Sequence, residues 1–355
     1  MRKSVLSLIC ISILFMWAGN VSAFHDDGVA YCGGCHTMHN SQNGIAVDPT
    51  GPNPYLLKLD TGTDVCLSCH GTSTSRGVWY NLPYVAGHEH GAGNFCFNNE
   101  DNINDGHNGG DSALWIPGWK SGHTPVSVAK GFPTGDPTLL TAPGGDFPSD
   151  MLSCTSCHDP HGNQFFRLLN GVGDIQAGFY NFTNPAPNAV GIRLSSSTNE
   201  SNAYHTGYKS GMSAWCSNCH GDYHQASEDF VHPSGEQITT PIANIYGHYN
   251  GTQHLTTGIP GTSYLAAAPF EDLANDTLYT AGPTSASQVS CISCHRAHAT
   301  SAPDAGRWDF NVTLLEEDGV ESGSYAIPDP YNYAEQRSLC NKCHKKDEGD
   351  IGSGP

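Results

Sequence analysis

Tyr31 to Asn40 reads YCGGCHTMHN. Two cysteines three apart, followed at once by histidine, make Cys32-Gly33-Gly34-Cys35-His36 the string used for c-type haem attachment. The spacing has a chemical cause. The two thiols add to the two vinyl groups of one porphyrin, and the next side chain reaches the iron from the proximal face. A single copy would also suit a redox dithiol or half a zinc site. This chain carries six.

The other five are Cys66/Cys69-His70, Cys154/Cys157-His158, Cys216/Cys219-His220, Cys291/Cys294-His295 and Cys340/Cys343-His344. The six motifs together take up 12 of the 14 cysteines, which displaces a disulfide framework as the rival reading. His36, His70, His158, His220, His295 and His344 are therefore the expected proximal iron ligands, with six covalently bound haems c as cofactors. Cys10 lies in the leader. Cys96, in Asn94-Phe95-Cys96-Phe97, is expected to be a buried thiol among aromatics.

The sixth ligands must come from elsewhere. The chain has 19 histidines, 13 of them outside the motifs, and five methionines, of which Met38, Met151 and Met212 follow the leader. Bis-histidine ligation at all six irons is the expectation, with low potentials and no open coordination position. Within ten residues of the opening string, His39 poses a problem. It lies three residues beyond His36, too close to reach round the haem plane to the opposite face of the same iron. It can serve a neighbouring haem. The same spacing recurs at His161 and His298, with a longer version at His224. His123, His232 and His25 are further distal candidates. His88, His90, His107, His205, His248 and His254 are expected to have no ligand role.

The remaining composition fits such a chain. Of 355 residues only 37% are hydrophobic, while 41 Gly and 22 Pro make up about 18%, against roughly 12% on average. Residues 1–23 read as a secretory signal: basic Arg2 and Lys3, an apolar run from Val5 to Gly19, and Val21-Ser22-Ala23 before the cleavage point. Leu8 and Ile9 are too bulky for a lipoprotein signal at Cys10, and the apolar run is too short for a membrane span. Residues 24–355 then read as one hexahaem domain with no membrane insertion, exported through the periplasm to the cell surface or beyond. Loss of Arg2 and Lys3 leaves 13 basic against 34 acidic residues, a net charge of −21. That disfavours nucleic acid and anionic lipid as partners.

Successive motifs are spaced 34, 88, 62, 75 and 49 residues apart, so no fixed-length repeat is visible. About 55 residues per haem makes the macrocycles the core. The expected fold is a multihaem cytochrome c, mostly coil with short helices and few strands. Ordered loops are expected over Pro133–Pro148 and Asn170–Asn188, a strand over Phe310–Leu315 (FNVTLL), and disorder after Asp347.

Longer stretches carry a resemblance. Phe24-His25 with GVAYCGGCHTMHNSQNG, LTAPGGDFP before CTSCHDPHG, GMSAWCSNCHGDYH, VHPSG, SYLAAAPFED, CISCHRAHA and RSLCNKCHKKD together resemble the hexahaem outer-membrane cytochrome S group. The resemblance covers the chain after residue 23 nearly end to end. It implies surface-displayed cytochromes of metal-reducing bacteria that polymerise into filaments for extracellular electron transfer. Copies of the chain, other multihaem cytochromes and insoluble metal acceptors are then the implied partners. It also implies that His39 ligates the iron of His295 in the adjacent subunit. Seven distal candidates recur in these stretches: His25, His39, His123, His161, His224, His232 and His298. Six irons need six, so one is surplus, and His25 and His224 are least firmly tied to the role. Two other readings compete: a monomeric periplasmic or surface electron carrier, and a multihaem reductase. A reductase needs an iron with an open position, and six intact motifs with histidines to spare argue against one.

Overall fold

The structure is a computed structural model that describes residues 31–71, 77–80, 91–103, 112–192, 200–224, 232–251, 257–315, 331 and 336–344. The expected signal segment, His25, His88, His90, His107, His254 and the tail after Asp347 lie outside the described residues.

Regular structure is sparse, as the composition demands. Four short helices occur among the described residues: α1 (Gly62–His70), α2 (Cys154–Cys157), α3 (Met212–Cys216) and α4 (Thr240–His248). Three of them carry haem-motif cysteines. The strands form three antiparallel pairs: β1 (Ser41–Gln42) with β2 (Ile45–Ala46), β3 (Ile175–Gln176) with β4 (Tyr180–Asn181), and β5 (Asn188–Val190) with β6 (Gly207–Ser210). The rest is 3-10 turns and coil.

No single apolar core forms among the described residues. The largest buried cluster gathers Tyr246, Tyr264, Phe270, Trp308, Leu315 and Leu339 with smaller side chains. A second packs Cys96 among Trp79, Tyr80, Phe95 and Phe97, where the sequence placed it. The third is small, built on Tyr208, Met212 and Ile292. α4 anchors the first cluster. Pro241 suits its first turn, where an amide hydrogen would have no partner, and Ala243, Ile245 and Tyr246 face inward.

Two expectations are corrected. Phe310–Leu315 is not a strand: Leu314 makes one isolated bridge to Arg337. The Asp309 carboxylate accepts from the backbone N–H and side-chain amide of Asn311, at 2.8 and 2.9 Å. That side-chain turn competes with strand pairing. The loop over Asn170–Asn188 contains the β3–β4 hairpin and the start of β5.

Candidate haem-iron sites

Each motif is a single helical turn. Outside α1, the histidine N–H donates to the carbonyl four residues back: His36 to Cys32 at 2.9 Å, His158 to Cys154 at 3.0 Å, His220 to Cys216 at 3.1 Å, His295 to Cys291 at 3.0 Å and His344 to Cys340 at 2.9 Å. In α1 the same turn is part of a nine-residue helix, capped by the Thr61 hydroxyl accepting from Asp64 N. Motifs three and five are also capped by their own serines. Ser153 N donates to Ser156 Oγ at 3.0 Å, and Ser290 N to Ser293 Oγ at 3.1 Å. A turn of this pitch puts both thiols on one side with the imidazole above them.

A second device recurs at motifs one, three and five. Two consecutive residues take left-handed backbone: Tyr55-Leu56, Arg167-Leu168 and Asp304-Ala305, all with φ between 53° and 59°. The carbonyl of the first accepts the Nδ1 hydrogen of the proximal histidine: His36 to Tyr55 at 3.0 Å, His158 to Arg167 at 2.8 Å, His295 to Asp304 at 2.9 Å. Backbone bridges clamp the same turn to the motif at His36–Leu57, His158–Leu169 and His295–Gly306. At motif four, Pro143 plays the carbonyl's part, accepting from His220 Nδ1 at 2.7 Å. A carbonyl only accepts, so Nδ1 carries the hydrogen and Nε2 keeps its lone pair. That is the tautomer an axial ligand needs. Burial also holds His158, His220 and His295 below the ordinary histidine pKa, which favours the neutral ring.

Four of the proximal rings face other imidazoles. His36 faces His161 with ring centroids 6.4 Å apart, and His158 faces His298 at 6.5 Å. His220 faces His123 at 5.9 Å, and His344 faces His232 at 6.2 Å. With metal–imidazole bonds of about 2 Å, two rings on opposite faces of one iron have centroids roughly 6 Å apart. The gap is too wide for ring stacking and right for a single metal ion, so these residues fit a haem iron. His123 is set further by its Nδ1 bond to Ala297 O at 2.8 Å. Its pKa is pushed down to about 4, by desolvation first and His220 second.

The pairs join distant motifs, as the sequence argument about His39 requires. His161 and His298 each lie three residues past a proximal histidine and face the histidine of an earlier motif. His39 is exposed and makes no hydrogen bond among the described residues. His295 has Phe310 as its ring neighbour, at 5.4 Å. Among the described residues His224 meets no imidazole; it sits beside Ser234 and the Cys291 thiol. His205, expected to have no ligand role, is fully buried, with its ring nitrogens bonded to the carbonyls of Thr206 and Tyr279. His248 bonds Asn244 O within α4.

The motifs are also brought together through their thiols. Cys66 and Cys154 share a hydrogen bond, and so do Cys216 and Cys291. The sharing raises the pKa of the first member of each pair and lowers that of the second. Cys154 N reaches Thr63 Oγ1 at 3.4 Å and Cys291 N reaches Ser213 Oγ at 3.1 Å, so the two junctions are built alike. Cys32 and Cys340, the first cysteines of the outermost motifs, are exposed.

The two cysteines of motif two differ, which the sequence pattern did not foresee. Cys66 sits half-buried in its junction with Cys154, whereas Cys69 is exposed, unlike the second cysteine of every other motif. The cause is its place in α1. The buried residues of that helix end at Leu67, and Ser68 and Cys69 form its exposed last turn. Ser68 Oγ lies 3.9 Å from Cys69 Sγ. Thioether formation needs a thiol that the vinyl group can reach, so this exposure leaves Cys69 competent for attachment. Cys69 also lies near motif one: after burial, Cys66 and Cys69 are what raise the pKa of Cys35.

The six motifs and the paired imidazoles fit a c-type cytochrome. No protein-family model matches the chain. It is 29% identical to the C-type cytochrome OmcS of Geobacter sulfurreducens, over 96% of this chain and 98% of that protein. Its fold matches the structure described as OmcS nanowires from Geobacter sulfurreducens with a TM-score of 0.74. The match has 27% identity and covers 91% of this chain and all of that one. A second structure, an outer membrane cytochrome S filament from the same organism, matches with a TM-score of 0.70 at the same identity and coverage. In sequence and fold the chain resembles the C-type cytochrome OmcS.

Proposed function

We propose that the chain binds six haems c, each iron held by two imidazoles, and that its copies join end to end into a filament for extracellular electron transfer. The haems supply one-electron redox chemistry; the protein supplies attachment, ligands and order. No catalytic residue is needed, and the terminal acceptors are other cytochromes or insoluble metal oxides. Among the described residues no helix is long and apolar enough to cross a membrane.

One observation carries this reading: a relay with both ends unfilled among the described residues. The histidine three past motif three faces motif one, and the histidine three past motif five faces motif three. Continued by one step, the histidine three past motif one faces motif five of another copy. His39 is the exposed donor of that step and His295 its acceptor. The thiol junctions follow the same order, motif two with three and four with five. The next junction would join motif six to motif one of the following copy, and Cys340 and Cys32 are exposed accordingly. A contact that joins two different surfaces without closing propagates into a fibre. The relatives' filaments support the same reading.

The test is His39→Ala, imaged by negative stain beside a haem assay. We expect six haems per chain and loss of filaments. Filaments of ordinary length from that variant would refute the joint.

A further inference from the structure

The two thiol junctions are built alike except for one buried charge. Where motifs two and three meet, Cys154 N donates to Thr63 Oγ1 at 3.4 Å and Ser153 Oγ pairs with the Thr155 hydroxyl at 2.7 Å. α1 is capped there by the Thr61 hydroxyl. Each of these partners is neutral. Where motifs four and five meet, Cys291 N donates to Ser213 Oγ at 3.1 Å, and Ser213 Oγ lies 3.5 Å from Ser290 Oγ. Ser290 Oγ in turn donates to Glu271 Oε1 at 2.7 Å. A chain of hydroxyls thus leads from the first cysteine of motif five to a carboxylate.

The same carboxylate holds motif four. Gly211 precedes α3 and has no side chain to cap it. Glu271 takes that place from a distant part of the chain: Met212 N donates to its Oε1 at 3.1 Å, and the amides of Gly211 and Ser213 donate to the carboxylate as well. Glu271 is almost fully buried, and its backbone is paired with Gln288 in both directions, at 3.0 and 2.7 Å. Burial raises its pKa, but the Ser290 hydroxyl and the three amides favour the charged form. Its charge reaches the junction, where it helps to raise the pKa of Cys216. Asp64 of α1 is buried too, but its oxygens accept from Ser127, Val128 and Ala129, which belong to neither motif.

We propose that Glu271 is a potential-setting residue, a buried anion that lowers the potentials of the two haems attached at motifs four and five. The proposal rests on the six-haem reading above. A fixed negative charge beside a redox centre opposes the added electron. Protonation removes that charge, so the two potentials rise as pH falls through the titration of the carboxylate. The other charged or titratable groups of this neighbourhood are distinct from it. Tyr208 packs with Met212 and Ile292, and Lys209 donates to Leu273 O. His224 lies beside Cys291, and Glu236 pairs with Val289 through its backbone. The Asp272 carboxylate accepts from Ser287, and Arg307 donates to the carbonyls of Ile292 and His295. The Cys216 and Cys291 sulfurs become thioethers on attachment and no longer titrate.

The experiment is Glu271→Gln and Ser290→Ala in the full haem-loaded chain, each titrated with reductant at several pH values and followed by the visible haem bands. A pyridine haemochrome assay counts total haem. We expect six haems per chain throughout. In Glu271→Gln two haems should shift to higher potential, the other four should stay in place, and the pH step of the shifted pair should vanish. Ser290→Ala keeps the charge and removes one donor that favours it, so the step of the same pair should move to higher pH. Unchanged potentials in Glu271→Gln, or an equal shift of all six haems, overturns the assignment. So does an unmoved pH step in Ser290→Ala, which decides alone if Glu271→Gln does not fold. A count other than six in the unmutated protein would instead sink the six-haem reading, so the two failures are distinguishable.

Discussion

His158 donates its Nδ1 hydrogen to the carbonyl of Arg167, 2.8 Å away, and Arg167 holds that carbonyl in place from left-handed backbone at φ 53°. Leu168 follows at φ 58°. This region strains residues other than glycine, and β-branched residues most. Leu168→Val should therefore lower stability by roughly 1–3 kcal/mol. It should also loosen the His158 ring, broadening one low-spin signal in the resonance spectrum. Leu168→Gly should relieve the local strain and keep the signal sharp. If both variants melt and resonate like the parent, the turn does not position the ligand.

The six Cys-x-x-Cys-His motifs were legible in the sequence because two thiols and an imidazole must follow the dimensions of one haem, whatever surrounds them. Their burial was not: nothing in Cys66-Leu67-Ser68-Cys69 tells that one thiol enters a junction and the other stays exposed. The placement of His161 and His298 was legible in part. Chain length forbids His161 from serving the iron of His158, but only the fold shows that it faces His36. The left-handed turns were not legible. Tyr55-Leu56, Arg167-Leu168 and Asp304-Ala305 share a backbone conformation and no side-chain chemistry. Phe310–Leu315 alternated like a strand, and the Asp309 side chain turned it aside.

Gly122 lets His123 approach the backbone of motif five. Its φ is 151°, and a Cβ there would stand 2.3 Å from His298 O. His123 N meanwhile donates to that same carbonyl at 3.1 Å. Gly122→Ala must push the two backbones apart, at a cost of roughly 1–3 kcal/mol. The His123–His220 pair should feel the shift, so the haem it brackets should change potential or spin state while haem content stays at six. Redox titration with parallel melting curves checks this; an unchanged titration would remove Gly122 from the ligand-positioning machinery.

His205 offers the opposite case. Its ring is fully buried, bonds carbonyls through both nitrogens and stacks on Tyr264 at 3.8 Å. His205→Ala leaves a cavity and an unpaired carbonyl, for a loss of roughly 2–4 kcal/mol. No iron should notice. Six low-spin haems with a lowered melting temperature are expected, and one new high-spin haem would make His205 a ligand after all.

Lys342 lies between the two cysteines of motif six and is almost fully buried. Its Nζ donates to the carbonyls of Tyr246 and Tyr249 at 2.9 and 3.1 Å, at the end of α4, with the Tyr246 ring centroid 4.3 Å away. A cation suits a helix C-terminus, and the bonds pin motif six to the largest buried cluster. Desolvation nonetheless pushes its pKa down to about 7, against about 10.4 for an unfolded lysine. Between those values the unfolded chain binds more protons, so this residue's contribution to stability rises with pH from about 7 to about 10 and is lost as pH falls through 7. Lys342→Met keeps the stem and removes the charge. It should flatten that part of the stability profile, measured by denaturant unfolding at several pH values. It should also weaken the tie between motif six and α4, seen as faster amide exchange at the end of that helix. A variant with the parent's pH slope would show that another group titrates there, and that Lys342 stays charged throughout.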